Sequence, residues 1–179
     1  VLVEIDAAVI DLCSKYFPEH SLNSWQDPRV EVVIADGKDY MANGDLKFDL
    51  ILSDSTDPIG PGEVLFTSDF YSQAISRLTD DGVLVTQNGV SFLQTGELEQ
   101  TFKRMNQLAK YNGFYHVNVP TYIGGNMSFA WASNGVDLSS FGIDESFVDN
   151  SDIDTKYYNA AIHRSSFAQP NYLKSLLGK

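Results

Sequence analysis

The chain has 179 residues, of which 43% are hydrophobic and 20% charged, enough for one globular domain with a sizeable core and too apolar for a disordered segment. Twelve Lys and Arg stand against 24 Asp and Glu, a formal net charge of −12, which argues against nucleic acid or an anionic membrane surface as the main partner and is compatible with a cationic ligand. One cysteine, Cys13, excludes an intramolecular disulfide framework, and no apolar run reaches the roughly 20 residues that span a bilayer, so the cytoplasm is the expected compartment.

In chain order, short apolar runs bounded by turn signals alternate with amphipathic stretches. Strands are expected over residues 1–5, 30–34, 48–52, 82–86, 114–119 and 127–132, and helices over 7–16, 38–42, 68–78, 96–111 and 171–177. This alternation is that of an α/β fold built on a parallel sheet. Residues 77–82 (RLTDDG) read as the turn that ends one helix before the next strand. Residues 120–126 (PTYIGGN) are too few for a crossover helix, so the last two strands are expected to pair as an antiparallel hairpin. The acidic, weakly patterned residues 134–154 read as a surface excursion within a single domain, 1–179. The opening VLVEID has the character of a buried strand met in mid-sheet, from which the natural protein is expected to begin well upstream.

Open parallel sheets bind ligands beyond the C-terminal ends of their strands, and here those ends are acidic three times over. Glu4 and Asp6 close the first strand, Asp36-Gly37 the second, and Asp54-Ser55-Thr56-Asp57-Pro58 the third. A carboxylate offers two acceptor oxygens to a vicinal diol, which makes Glu4 a candidate for a ribose, whereas Asp6 suits a helix cap. Asp36 could accept from an exocyclic amine while Gly37 lets a ring approach the backbone, or the pair could be a turn. Asp54 and Asp57 lie in a loop stiffened by Pro58 and Pro61 and loosened by Gly60 and Gly62, poor packing material and good material for binding a cation. With no His nearby and no third clustered carboxylate, a metal has little support.

Taken together, Val3-Glu4-Ile5-Asp6, Asp36-Gly37, Asp54-Ser55-Thr56-Asp57-Pro58-Ile59-Gly60-Pro61, Thr86-Gln87-Asn88-Gly89, Pro120-Thr121-Tyr122 and Tyr157-Tyr158-Asn159 with His163 resemble, in order and spacing, the spermidine synthases, a family of polyamine aminopropyltransferases. The likeness runs over nearly the whole chain and is nearest the bacterial branch. It implies a methyltransferase-like Rossmann sheet, mostly parallel, that moves an aminopropyl group from decarboxylated S-adenosylmethionine to putrescine, giving spermidine and methylthioadenosine without a metal or other cofactor. By that resemblance Glu4 holds the ribose hydroxyls, Asp36 and Gly37 the adenine, and Pro61 borders the nucleoside. Asp54 is the catalytic proton acceptor, while Asp57, Gln87 and Tyr122 orient the diamine with contacts from Ser55 and Thr56. Residues 54–67 resemble a lid, and His163 falls in a stretch with a structural role.

The pattern departs from the family at its front. The family's Gly-rich loop, its first central strand and a small β-rich N-terminal region are absent, so the sheet is expected to lack a strand between those at 1–5 and 48–52, and these residues alone are expected to be inactive. Family members are homodimers or homotetramers. An aminopropyltransferase for another amine, a putrescine N-methyltransferase and a noncatalytic polyamine-binding relative are the rival readings. Retention of both Asp54 and Asp57 weighs against the last.

Overall fold

A computed structural model describes residues 1–22, 24–140, 142, 144–149 and 154–178. It divides into two compact units, Val1–Leu46 and Lys47–Lys179.

In the first unit, β1 (Leu2–Glu4) runs into α1 (Ala7–Tyr16). Asp6 starts that helix as predicted, its carboxylate accepting from Ala8 N–H at 2.9 Å and so satisfying one of the four donors a helix N-terminus leaves open. The short α2 (Pro18–Ser21), not foreseen in the sequence, begins with Pro at its first position and ends at Leu22 in the left-handed region (φ 45°). Then β2 (Val32–Ile34) pairs in parallel with β1, Glu4 opposite Ile34, and Asp36 caps α3 (Gly37–Ala42). No described residue of this unit is fully buried, and Ile5, Leu12 and Ile34 stay at least half exposed.

The second unit is built on a four-stranded sheet of order β3-β4-β6-β5. β3 (Phe48–Ser53) leads through a 3₁₀ segment (Gly60–Phe66) to α4 (Ser68–Ser76), then β4 (Leu78–Val90), α5 (Thr95–Leu108), β5 (Tyr111–Asn118) and β6 (Asn126–Ser133). Three short helices follow, α6 (Glu145–Asp149), α7 (Ala160–Ser166) and α8 (Asn171–Leu176). β3 and β4 are parallel, and β5 and β6 form the expected hairpin. The antiparallel share is larger than the apolar runs suggested, because β6 lies between β4 and β5 and pairs with both.

Helical spacing places the core. α4 buries Phe70, Tyr71, Ala74 and Ile75, and α5 buries Leu98, Thr101 and Met105, each set recurring every three to four residues on one face. They meet β4 and β6, where Leu84, Ala132 and Trp131 are almost wholly enclosed. Residues 77–82, read as a turn, fall at the start of the β4 span, and the chain does turn there: a Cβ at Gly82 would lie 2.9 Å from the Leu78 Cβ. Phe48 N–H donates to the Arg77 carbonyl at 2.8 Å, Leu78 pairs with Phe48, and a bulge between Phe48 and Leu50 re-registers the ladder. Of the excursion at 134–154, residues 141, 143 and 150–153 lie outside the described residues; α6 and α7 were missed because each is too short for periodicity to register.

Candidate active site

The acidic strand ends predicted as ligand positions take up local backbone donors. In the first unit the Glu4 carboxylate accepts from Asp6 N–H at 2.9 Å. Asp36 Oδ1 accepts from Lys38 N–H at 2.8 Å and from Asp39 N–H at 3.4 Å, which makes it the N-cap of α3. Ala35 N–H donates to the Glu4 carbonyl at 3.0 Å, so Glu4 and Asp36-Gly37 stand at the neighbouring C-terminal ends of two parallel strands. Each carboxylate is part exposed or exposed and keeps lone pairs for a ligand.

In the second unit, Asp54 follows the last residue of β3, whose Ser53 pairs with Thr86 of β4. The register therefore sets Gln87, the next residue of β4, beside the Asp54 loop. With its amide oriented so that donor meets acceptor, Gln87 donates to the Ser55 carbonyl at 3.3 Å and accepts from Gly89 N–H at 3.1 Å. Gly89 needs its φ of +69° to make that turn. Asp54 and Asp57 are both exposed; Ile59 N–H donates to the Asp57 carbonyl at 2.6 Å, and Gly60 (φ 68°) turns the chain into the 3₁₀ segment that carries Pro61. Thr56 Oγ1 donates to the Asp57 carbonyl at 3.3 Å.

Tyr122 sits in the tight connection between β5 and β6, held by Tyr122 N–H to the Val119 carbonyl (3.1 Å) and Gly125 N–H to the Tyr122 carbonyl (2.9 Å). Because β6 is antiparallel to β4, with Met127 opposite Val90, this connection lies at the same end of the sheet as the Asp54 loop and Gln87. Tyr122 is 54% exposed. Asp54, Ser55, Thr56, Asp57, Gln87 and Tyr122 thus share one end of one sheet. His163 shares a hydrogen bond at Nδ1 with the Tyr158 hydroxyl at 3.0 Å and packs on Phe167.

Two residues at this end escaped sequence reasoning. Asn88 is completely buried: Thr86 Oγ1 donates to its Oδ1 at 3.0 Å, and its Nδ2 donates to Thr101 Oγ1 at 2.8 Å. Glu97, in the first turn of α5, has one carboxylate oxygen closed off from solvent and without a hydrogen-bond partner among the described residues. Burial, and then the negative charge of Asp57, push its carboxyl up to about 7 against a hydrogen bond from Asn88 that favours the ionised form. Its signal in the sequence was position: the first turn after the C-terminal end of a central strand.

Parallel strands with carboxylates at their C-terminal ends, crossover helices and a closing antiparallel hairpin define a methyltransferase-like α/β fold. The chain overlays on the crystal structure of a spermidine synthase in complex with the transition-state analogue AdoDATO with a TM-score of 0.91 at 36% identity, over 99% of this chain and 60% of that one. On the spermidine synthase from Thermotoga maritima the TM-score is 0.88 at 35% identity, over 99% and 59%. Residues 1–140 match the spermine/spermidine synthase domain, and the chain belongs to that family. Among curated relatives it is 46% identical over 181 residues to polyamine aminopropyltransferase 1 of Pseudomonas aeruginosa and 44% identical over 180 residues to the polyamine aminopropyltransferase of Buchnera aphidicola, covering 99% of this chain each time. It spans 63% of the length of each of those relatives.

Proposed function

We propose that the protein carrying this chain transfers the aminopropyl group of decarboxylated S-adenosylmethionine to putrescine, releasing spermidine and methylthioadenosine. The observation that carries the reading is the gathering of Asp54, Asp57, Gln87 and Tyr122 at one end of the sheet in a member of this family. In the reaction the amine nitrogen forms a bond to the aminopropyl methylene carbon. The carbon–sulfur bond breaks with its electron pair going to sulfur, and the amine gives up a proton.

A primary amine resembles Lys, with a pKa of about 10.4, so near pH 7 its neutral form costs on the order of 4 kcal/mol. Asp54 fixes the amine in line with the methylene and takes the proton as the bond forms, and proximity supplies much of the rate. Asp57, Gln87 and Tyr122 orient the diamine, with Ser55 and Thr56 contributing backbone or hydroxyl contacts. Gln87 also holds the loop through the Ser55 carbonyl. Glu4 takes the ribose, Asp36 and Gly37 the adenine, and Pro61 borders the nucleoside. The sulfonium needs no activation to leave, so the reading calls for neither metal nor other cofactor. The protein works in the cytoplasm as a homodimer or homotetramer, and residues 1–179 form part of its catalytic domain.

The test is methylthioadenosine release from the full-length protein with putrescine, cadaverine and spermidine, with ordinary S-adenosylmethionine in parallel. Putrescine turnover is expected, and Asp54→Asn is expected to lower kcat at least about 100-fold. Methyl transfer instead of aminopropyl transfer, or an Asp54→Asn variant as fast as its parent, sinks the assignment.

A further inference from the structure

Asn88 has no part in the proposed chemistry, yet its side chain ties three elements together. Its Oδ1 accepts from Thr86 Oγ1 at 3.0 Å and from Ala130 N–H of β6 at 3.3 Å, and its Nδ2 donates to Thr101 Oγ1 of α5 at 2.8 Å. Thr101 is itself fully buried, with its hydroxyl 3.5 Å from that of Tyr71 in α4. The backbone of β4 explains the need for such an anchor. Gln87 lies opposite Phe129 and Val90 opposite Met127, so Asn88 and Gly89 together face the single residue Ser128, a β-bulge. Gly89 takes a φ of +69°, a Cβ there would run into the Gln94 amide, and Val90 N–H donates to Gln94 Oε1 at 2.7 Å. Where the bulge interrupts the ladder, the Asn88 side chain supplies a bond across to β6.

Bulges re-aim side chains, and here the side chain is that of Gln87. Successive residues of a strand point to opposite faces, so Asn88, reaching toward α5, leaves Gln87 on the other face, where it meets the Asp54 loop. The bulge also presents Gly89 N–H to the Gln87 amide oxygen at 3.1 Å, which directs the amide nitrogen to the Ser55 carbonyl at 3.3 Å. One lone pair of that oxygen stays available to an ammonium. With the Gly89 N–H out of place the amide is free to turn over and set its own donors against those of the amine. We infer that Asn88, anchored by Thr101, is a positioning residue for the amine acceptor: it holds the bulge that orients Gln87. The inference rests on the aminopropyl-transfer reading above.

The consequence is confined to one of the two substrates. Glu4, Asp36 and Gly37, proposed for the nucleoside, stand at the ends of β1 and β2, whereas the bulge belongs to β4. Loosening the bulge weakens the hold on the diamine and leaves decarboxylated S-adenosylmethionine bound as before. A general loss of fold behaves differently, since it lowers the fraction of active protein and leaves both KM values alone. Thr101 offers a way to loosen the bulge from a distance: Val in its place has a similar shape but leaves the buried Asn88 Nδ2 without its acceptor.

The experiment measures methylthioadenosine release by the full-length protein with each substrate varied in turn. Thr101→Val is expected to raise the putrescine KM about tenfold with the KM for decarboxylated S-adenosylmethionine unchanged, and Thr101→Ser, which keeps the hydroxyl, to retain the parent's value for both. If Thr101→Val does not fold, Thr86→Val decides by the same comparison, because it removes a hydroxyl that Asn88 Oδ1 accepts from. A folded Val variant with the parent's putrescine KM, equal rises for both substrates, or a Ser variant as impaired as the Val variant overturns the inference and leaves the reaction standing. A parent that releases no methylthioadenosine overturns the reaction, and the inference with it.

Discussion

At the scale of single residues, Glu97 ties stability to pH. Its folded-state value, about 7, lies above the ordinary 4.5, so the folded protein holds that proton more tightly than the unfolded chain. Its contribution therefore falls as pH rises from about 4.5 to about 7, and the loss is complete above that window. Glu97→Gln removes this component. The variant is expected to match its parent in urea midpoint near pH 5 and to exceed it near pH 8, and a parent whose midpoint gap to the variant is the same at both values contradicts the assignment. The sequence pointed to Asp54 and Asp57 because an Asp-x-x-Asp-Pro loop after an apolar strand is distinctive by itself. Glu97 reads as one of many first-turn helix acids until α5 is packed and its carboxyl enclosed.

At the scale of elements, the junction of β3 and β4 was the hardest to read. Arg77 to Gly82 has turn composition and folds back on itself, a Cβ at Gly82 lying 2.9 Å from that of Leu78, while only its first residues reach β3, through the Arg77 carbonyl and Leu78 opposite Phe48. Gly82 is what lets that turn close against β3: a Cβ there would lie 2.8 Å from the Phe48 carbonyl oxygen and 3.0 Å from Thr79 N, both backbone atoms that cannot swing away. Gly82→Ala is expected to destabilise the protein by about 1–3 kcal/mol, seen as a lower urea midpoint at unchanged slope. A midpoint equal to the parent's would mean that the strands separate at no cost. The helices α1 and α3 were legible to within a residue, because Asp6 and Asp36 announce their N-termini with caps that need only the local chain.

At the scale of the whole molecule, exposed apolar strand faces are the feature to explain. Strands of parallel sheets are ordinarily covered on both faces, yet Leu50 and Leu52 of β3 are 54% and 67% exposed. β3 pairs with one strand of its unit and β1 with one of its own, which leaves each with a free edge inside that unit. Open edges with apolar flanks recruit other chains. A polypeptide of residues 1–179 is accordingly expected to self-associate with rising concentration in sedimentation velocity, and Leu52→Glu is expected to reduce that association. A monomer throughout the concentration series would show that the exposed strand is harmless.

The alternation of apolar runs with amphipathic stretches was enough to declare an α/β fold, because that pattern follows from strand and helix periodicity alone. The acidic strand ends and the Asp54-to-Pro61 loop named the family, since their chemistry lies within a few consecutive positions, and supplied most of the candidate site residues. The place of β6 between β4 and β5, the pairing of Leu78 with Phe48 and the closing-off of one Glu97 carboxylate oxygen from solvent needed the folded chain. Each depends on groups brought together from distant positions, where pairing and burial rather than local preference set the free energy.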